Sequence, residues 1–144
     1  MSPSDLIGPW HLEAFTITFA DGRPPLHPFG ADARGQLIYT ADGHMSATLC
    51  RAGRAPLGGR LETAGKASTE ARADAFDGYL AYAGRWHLED DTVVHTVDFA
   101  LMPDLVGEEN RRRARLVDGI LHLSYALTAR SGIERTYTLA WRRP

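Results

Sequence analysis

The chain has 144 residues, a formal net charge of −2 at neutral pH and one cysteine, Cys50. This length predicts a single domain, residues 1–144, and a chain of this size buries roughly 68–70% of its unfolded surface, so it folds without a metal or disulfide. The charge argues against charge-driven binding of nucleic acid, and no apolar run reaches the ~18 residues of a membrane span. Because the start MSPSDLIGPW also lacks a signal-peptide pattern, we expect a cytoplasmic protein that binds neither nucleic acid nor membrane.

The first predicted strand runs from Trp10 to Phe19 and is rich in β-branched and aromatic residues. Trp10 and Leu12 alternate out of phase with Phe15 and the apolar residues that follow it. A bulge between Leu12 and Phe15 would bring both sets onto one face. The direction of Glu13, which lies between them, stays open.

A long loop follows, from Asp21 to Arg34, with prolines and glycines that favour turns. Loops of this length are often lids or binding loops. His27 and Phe29 would then cover the mouth of a barrel, and the alternative is an ordinary surface loop.

The stretch Gly35 to Arg51 is typical of a hairpin with the loop Ala41-Asp42-Gly43. Three loop residues with the glycine in the left-handed conformation fit a type I turn with a bulge. This register pairs Tyr39 with Met45 and predicts that both point inward.

Two later signals complete the outline of the chain. Ser68 is expected to cap a short helix that ends near Gly78. Asp118-Gly119 predicts the turn of a further hairpin, and a last strand begins near Ile133.

The stretch from Tyr79 to Leu116 predicts three consecutive strands whose faces are sorted by period-two alternation. Each apolar face carries one polar residue that does not suit a dry core: Tyr82, His95 and Arg112. A phenol, an imidazole and a guanidinium are therefore predicted to converge on one interior. The predicted inward sets are Leu80, Tyr82, Gly84, Trp86 and Leu88; Val93, His95, Val97, Phe99 and Leu101; and Asn110, Arg112, Ala114 and Leu116.

The hairpin between the first two of these strands has two possible registers. A two-residue turn at Glu89-Asp90 puts Gly84 opposite His95, whereas a four-residue turn puts Trp86 there. Gly84 either leaves open space above the imidazole or marks a bulge or bend.

About eight antiparallel strands in sequence order, with one short helix, favour a closed meander barrel. Closure removes both sheet edges, and eight strands can enclose room for one small ligand.

Motifs at both ends of the chain then point to a family. Gly8-Pro9-Trp10 resembles the G-x-W signature of lipocalins, and Trp141 with Arg143 resembles their closing strand. The ordered segments GPWHLEAF, GQLIYTADGHMSA, GYLAYAGRW, VVHTVDFALMPDLVGEENRR and LAWRR resemble the bacterial and fungal lipocalin-like domain family. The resemblance implies an all-β, lipocalin-like up-and-down antiparallel β-barrel with an internal pocket, in which Arg143 packs over Trp10. It implies no single reaction, because the fold hosts both binders and cofactor-free enzymes.

The three converging polar residues are the candidate catalytic set. His95 can act as a general base or acid, or it can be a buried neutral ring. Arg112 stays charged, so it needs a carboxylate, water or an anionic ligand group, and Glu13 is the one candidate partner that parity leaves. Tyr82 can donate a hydrogen bond to a carbonyl or enolate, or pack in the core.

A second set is predicted to contact the ligand as pocket wall: Tyr39, Met45, Trp86, Phe99 and Asn110. None of the six histidines has a close ligand spacing, and no glycine-rich phosphate loop leads from a strand into a helix. The sequence therefore predicts no metal and no cofactor.

Three functions remain open. The first is binding of a small, largely apolar molecule whose polar oxygen or carboxylate faces Tyr82, His95 and Arg112. The second is a cofactor-free isomerase, cyclase or lyase of secondary metabolism, in which His95 moves a proton and the other two stabilise an oxyanion. The third is an interaction domain with a filled interior and a broad exposed apolar patch. A homodimer is compatible with all three.

Overall fold

The computed structural model describes residues 1–144, and eight antiparallel strands dominate it. Each strand pairs with the next, and the last pairs with the first, so the sheet is a closed barrel. This confirms the predicted fold class. No helix is both long enough and apolar enough to cross a membrane. The strands are β1 (Gly8–Phe19), β2 (Arg34–Tyr39), β3 (His44–Cys50), β4 (Tyr79–Glu89), β5 (Thr92–Ala100), β6 (Glu109–Val117), β7 (Ile120–Thr128) and β8 (Glu134–Arg142). The helices are α1 (Pro3–Leu6) and α2 (Thr69–Asp77), with 3-10 turns at Leu61–Lys66 and Pro103–Leu105.

One end of the barrel, which we call the floor, is sealed around Trp10. The guanidinium of Arg143 lies 3.8 Å from the ring centroid of Trp10, as the family resemblance predicted. Its nitrogens also donate to the carbonyl oxygens of Ile7 and Asp5, each at 2.8 Å. The indole nitrogen of Trp10 donates to the carbonyl of Leu6, at 2.8 Å, and Leu6 is fully buried. Helix α1 is thereby tied across the floor.

Strand β1 contains the predicted bulge. Leu12 pairs with Trp141 of β8, but the next pair is Ala14 with Ala140. The extra residue, Glu13, is exposed and forms a salt bridge with Arg142 on the outer surface, at 2.8 Å. Glu13 is therefore no partner for an interior arginine.

The long loop after β1 folds back onto the barrel. Leu26 and Ile17 exchange backbone hydrogen bonds of 2.9 Å in both directions. The ring of Phe29 meets that of Phe15 edge to face, with centroids 6.1 Å apart. Phe29 thus helps to cover the end opposite the floor, which we call the mouth, while His27 is exposed.

The predicted local signals around β2, β3 and α2 are confirmed. Tyr39 pairs with Met45, and Gly43 has the left-handed φ of 87° that the turn requires. The hydroxyl of Ser68 accepts a hydrogen bond from the backbone of Ala71, at 3.1 Å, and caps α2.

The hairpin of β4 and β5 takes the register in which Trp86 lies opposite His95. Its turn is the pair Asp90-Asp91, because Glu89 and Thr92 still pair with each other. The register is that of the four-residue alternative, except that Glu89 and Thr92 pair as well and shorten the turn to two residues.

Phe99 does not point inward, and that prediction is wrong. Gly84 pairs with Val97, but Ala83 pairs with Phe99, so Asp98 is an extra residue in β5. This bulge reverses the alternation of the strand, and Phe99 is 73% exposed on the outer surface. Leu101, placed inward by the same alternation, lies past the end of β5 and is also exposed.

Gly84 marks this bulge rather than an open space above His95. A Cβ atom at Gly84 would lie 2.0 Å from the carbonyl oxygen of Thr96 and 2.9 Å from the amide nitrogen of Asp98. The two paired strands therefore lie too close together for any side chain at this position.

Gly84→Ala is expected to lower the free energy of unfolding by about 1–3 kcal/mol, because the added methyl group would push β4 and β5 apart. The measurement is urea unfolding followed by tryptophan fluorescence. Gly65→Ala is the matched control, since its Cβ would meet nothing within 4 Å. Equal unfolding midpoints for the two variants would contradict the close crossing.

Candidate functional site

The interior of the barrel is fully buried near the floor and only partly buried towards the mouth. Inward side chains near the floor, such as Trp10, Leu37 and Leu121, are at most 1% exposed. Inward side chains further up are only partly buried, although they point to the same interior. Solvent therefore reaches this upper part of the interior, which we call the open part and take as the candidate ligand site. We call these residues the mouth side: Phe15, Ile17, Leu80, Tyr82, Arg112, Tyr125, Tyr137 and Leu139.

The imidazole of His95 lies at the boundary between these two parts, between two tyrosine hydroxyls. The hydroxyl of Tyr39 is 2.7 Å from Nε2, and that of Tyr82 is 2.9 Å from Nδ1. His95 itself is 1% exposed. Alternation sends one of these side chains inward from each of β2, β4 and β5, so the three rings meet inside the sheet.

Tyr39 is held in place by Trp86. The two ring centroids are 4.5 Å apart, and the indole nitrogen of Trp86 donates to the carbonyl of Thr40, at 3.0 Å. Met45 is also buried beside this part of the core. Trp86 therefore helps to hold Tyr39 in place, and the roles of Trp86 and Met45 as ligand contacts stay predictions.

The three rings of the cluster are all uncharged at neutral pH. Burial, aided by the nearby charge of Arg112, lowers the pKa of His95 to about 3. Burial raises the pKa of Tyr82 to about 12 and that of Tyr39 well above its usual value. The cluster consequently contains a neutral imidazole and two protonated phenols.

Arg112 is the one charged member of the mouth side. Its guanidinium carbon lies 4.0 Å from the ring centroid of Tyr125, which stacks on Tyr137 at 4.7 Å. One nitrogen donates to the carbonyl of Arg111, at 3.0 Å. No carboxylate lies within 4.0 Å of it, whereas Arg111 and Arg113 on the outer face are both ion-paired. The inward cation is left without a counter-ion.

Comparison with known proteins identifies the family. A family model described as a lipocalin-like domain matches residues 7–144. The chain belongs to this lipocalin-like family. Membership confirms the resemblance found in the sequence and implies small-molecule binding in general.

One solved structure adds a distant likeness. It is the crystal structure of an uncharacterized protein from Bacteroides eggerthii DSM 20697, with 14% sequence identity and a TM-score of 0.43. The match covers 92% of this chain and 98% of that chain. No curated protein matches the lipocalin-like chain.

The lipocalin-like barrel brings together most of the residues singled out in the sequence. Tyr82, His95 and Arg112 all face the interior, and their functional roles stay predictions. Asn110 lies opposite His95 on β6 and is partly buried. Phe99 is excluded, since it lies on the outer surface.

Two features of the site were not apparent from the sequence. Tyr39 was placed in the pocket wall, but its hydroxyl contacts His95. Tyr125, under the guanidinium of Arg112, was not singled out at all. Its parity with Leu121 and Leu123 on β7 is the signal that could have found it.

The buried imidazole predicts that acid destabilises the barrel from about pH 6.5 downwards. In the unfolded chain a histidine titrates near pH ~6.5, while His95 in the folded chain stays neutral until about pH 3. Between these values the unfolded state binds one more proton than the folded state. The contribution of His95 to the free energy of unfolding is therefore fully present above about pH 6.5 and falls by roughly 1.4 kcal/mol per pH unit below it.

Urea unfolding of wild type, His95→Gln and His27→Gln at about pH 7 and about pH 5 measures this effect. His27 is exposed and forms no ion pair, so its variant should keep the wild-type loss of stability, whereas His95→Gln should reduce it. An NMR titration of wild type, in which the His95 ring stays neutral down to about pH 5, checks the same point without a variant. A His95 ring that titrates near pH ~6.5 would refute it.

Proposed function

We propose that the barrel binds a small, largely apolar molecule whose anionic or carbonyl oxygen meets Arg112 and Tyr82. The observation that carries this proposal is the inward guanidinium without a carboxylate partner. A partly buried charge is costly unless an opposite charge or strong acceptors surround it. A ligand oxygen at this point would supply the missing acceptor.

The apolar residues of the mouth side suit the apolar body of such a ligand. Phe15, Ile17, Leu80 and Leu139 line the mouth side, and Phe29 packs on Phe15 at the rim. Apolar walls of this kind provide affinity, while a few convergent polar groups fix the orientation of the ligand.

The same geometry disfavours proton transfer by His95 as the main activity. A general base works best with a pKa near the working pH, and the pKa of about 3 leaves this imidazole a weak base. Both ring nitrogens are also occupied by tyrosine hydroxyls. We therefore favour binding over the isomerase, cyclase or lyase alternative. Loss of turnover of a demonstrated substrate in His95→Ala would reverse this preference.

A pair of dyes with the same ring system tests the role of Arg112. Anilinonaphthalene sulfonate carries an anionic group, and N-phenylnaphthylamine lacks it. Arg112→Leu is expected to weaken binding of the sulfonate dye about tenfold or more, since a hydrogen bond to a charged group contributes about 1.5–3 kcal/mol. Binding of the neutral dye should stay nearly constant. Fluorescence titration gives both dissociation constants.

Arg115→Leu is the matched control for this experiment. Arg115 lies on the same strand but on the outer face, so its removal changes the net charge equally without touching the interior. Equal losses in both arginine variants, or equal losses for both dyes, would reject the proposal. Native mass spectrometry of freshly purified protein would also reveal a co-purifying molecule and its chemical class.

A further inference from the structure

The hydrogen bonds around His95 have a direction that the neutral ring enforces. A neutral imidazole has one N–H donor and one bare nitrogen acceptor. Because both nitrogens contact a tyrosine hydroxyl, one hydroxyl must donate to the ring and the other must accept from it. The accepting hydroxyl keeps its own proton for a third group.

Burial decides which tyrosine plays which part. Tyr39 is 1% exposed, and its hydroxyl has no partner other than His95. If Tyr39 accepted from the ring, its proton would be buried without an acceptor, which would disfavour this state by on the order of tenfold in population. Tyr82 is only partly buried and belongs to the mouth side, so it is the tyrosine nearer to the water or ligand that would accept its proton. The favoured arrangement is therefore Tyr39 O–H to Nε2, and Nδ1–H to the oxygen of Tyr82.

We propose that Tyr39 holds His95 in the Nδ1–H tautomer and thereby makes Tyr82 a donor towards the open interior. Tyr39 is then a positioning residue that acts through His95. The side chain of Arg112 has only hydrogen-bond donors, and the hydroxyl of Tyr82 adds another donor beside it. The hydrogen bond that Tyr82 accepts from Nδ1–H also makes its hydroxyl a stronger donor. The donors of Arg112 and Tyr82 thus favour a ligand with a carboxylate, sulfonate or carbonyl group and disfavour one with an ammonium group. This ligand class rests on the proposed function, whereas the tautomer does not.

The tautomer can be measured on wild-type protein without any ligand. Heteronuclear NMR of protein labelled with a nitrogen isotope at histidine distinguishes a protonated from a bare ring nitrogen. The expected result for His95 is a protonated Nδ1 and a bare Nε2. Tyr39→Phe should shift the ring towards the Nε2–H form, because the donor to Nε2 is lost. A wild-type ring protonated at Nε2 would overturn the inference.

The consequence for binding is tested with the anionic dye and a double-mutant cycle. Tyr39→Phe should weaken binding of the sulfonate dye by about two- to fivefold and leave binding of the neutral dye nearly unchanged. In a Tyr82→Phe background the same change should have no further effect, because Tyr39 acts through the proton of Tyr82. A purely structural role of Tyr39 would weaken both dyes and persist in that background, which would refute the positioning role.

The two proposals fail in different ways. An Nε2–H tautomer with an intact effect of Arg112→Leu on the sulfonate dye would refute only the role of Tyr39. A confirmed Nδ1–H tautomer without any effect of Arg112→Leu would refute the proposed ligand class together with the proposed function.

Discussion

Closure of the sheet between β1 and β8 is the constraint on which the site depends. In a closed barrel every side chain of a strand points either into the interior or out to solvent, and the choice alternates along the chain. A single bulge therefore reassigns all residues beyond it. The bulge at Glu13 turns Phe15 and Ile17 inward, where they line the mouth side. The bulge at Asp98 has the opposite effect and places Phe99 outside.

Two arginines near the interior show how the surroundings decide between structure and function. Arg143 lies over Trp10 and donates to backbone carbonyls on α1 and the residue after it, so its donors have partners within the fold. Arg112 likewise covers an aromatic ring, but one neighbouring carbonyl is its sole acceptor. Since a guanidinium has five N–H donors, most of those on Arg112 are left for water or a ligand. Arg143 therefore closes the floor, whereas the remaining donors of Arg112 are the ones that the proposed ligand would meet.

His95 links the closed part of the barrel to the open one. Its depressed pKa follows from burial and from the charge of Arg112, so the free protein holds a neutral ring. Such a ring transmits the orientation of hydrogen bonds from Tyr39 to Tyr82 without carrying a charge. An anion bound at Arg112 would offset the positive charge near the ring and raise its pKa. Burial, the larger cause of the depressed pKa, would remain.

The sequence by itself determined the number of strands, most turns and the inward direction of Tyr82, His95 and Arg112, since period-two alternation and turn residues are local signals. The bulge in β1 was also visible, because the apolar parity of Trp10 and Leu12 breaks before Phe15. The bulge at Asp98 was not visible in the sequence, since Val97, Phe99 and Leu101 alternate without a break. It lies where β4 and β5 approach each other closely, at Gly84. Only the tertiary structure decided that Tyr39 reaches His95, 56 residues away in the chain. The tilt of the strands and the closure of the barrel bring those two side-chain tips together, and neither property is encoded in any one segment.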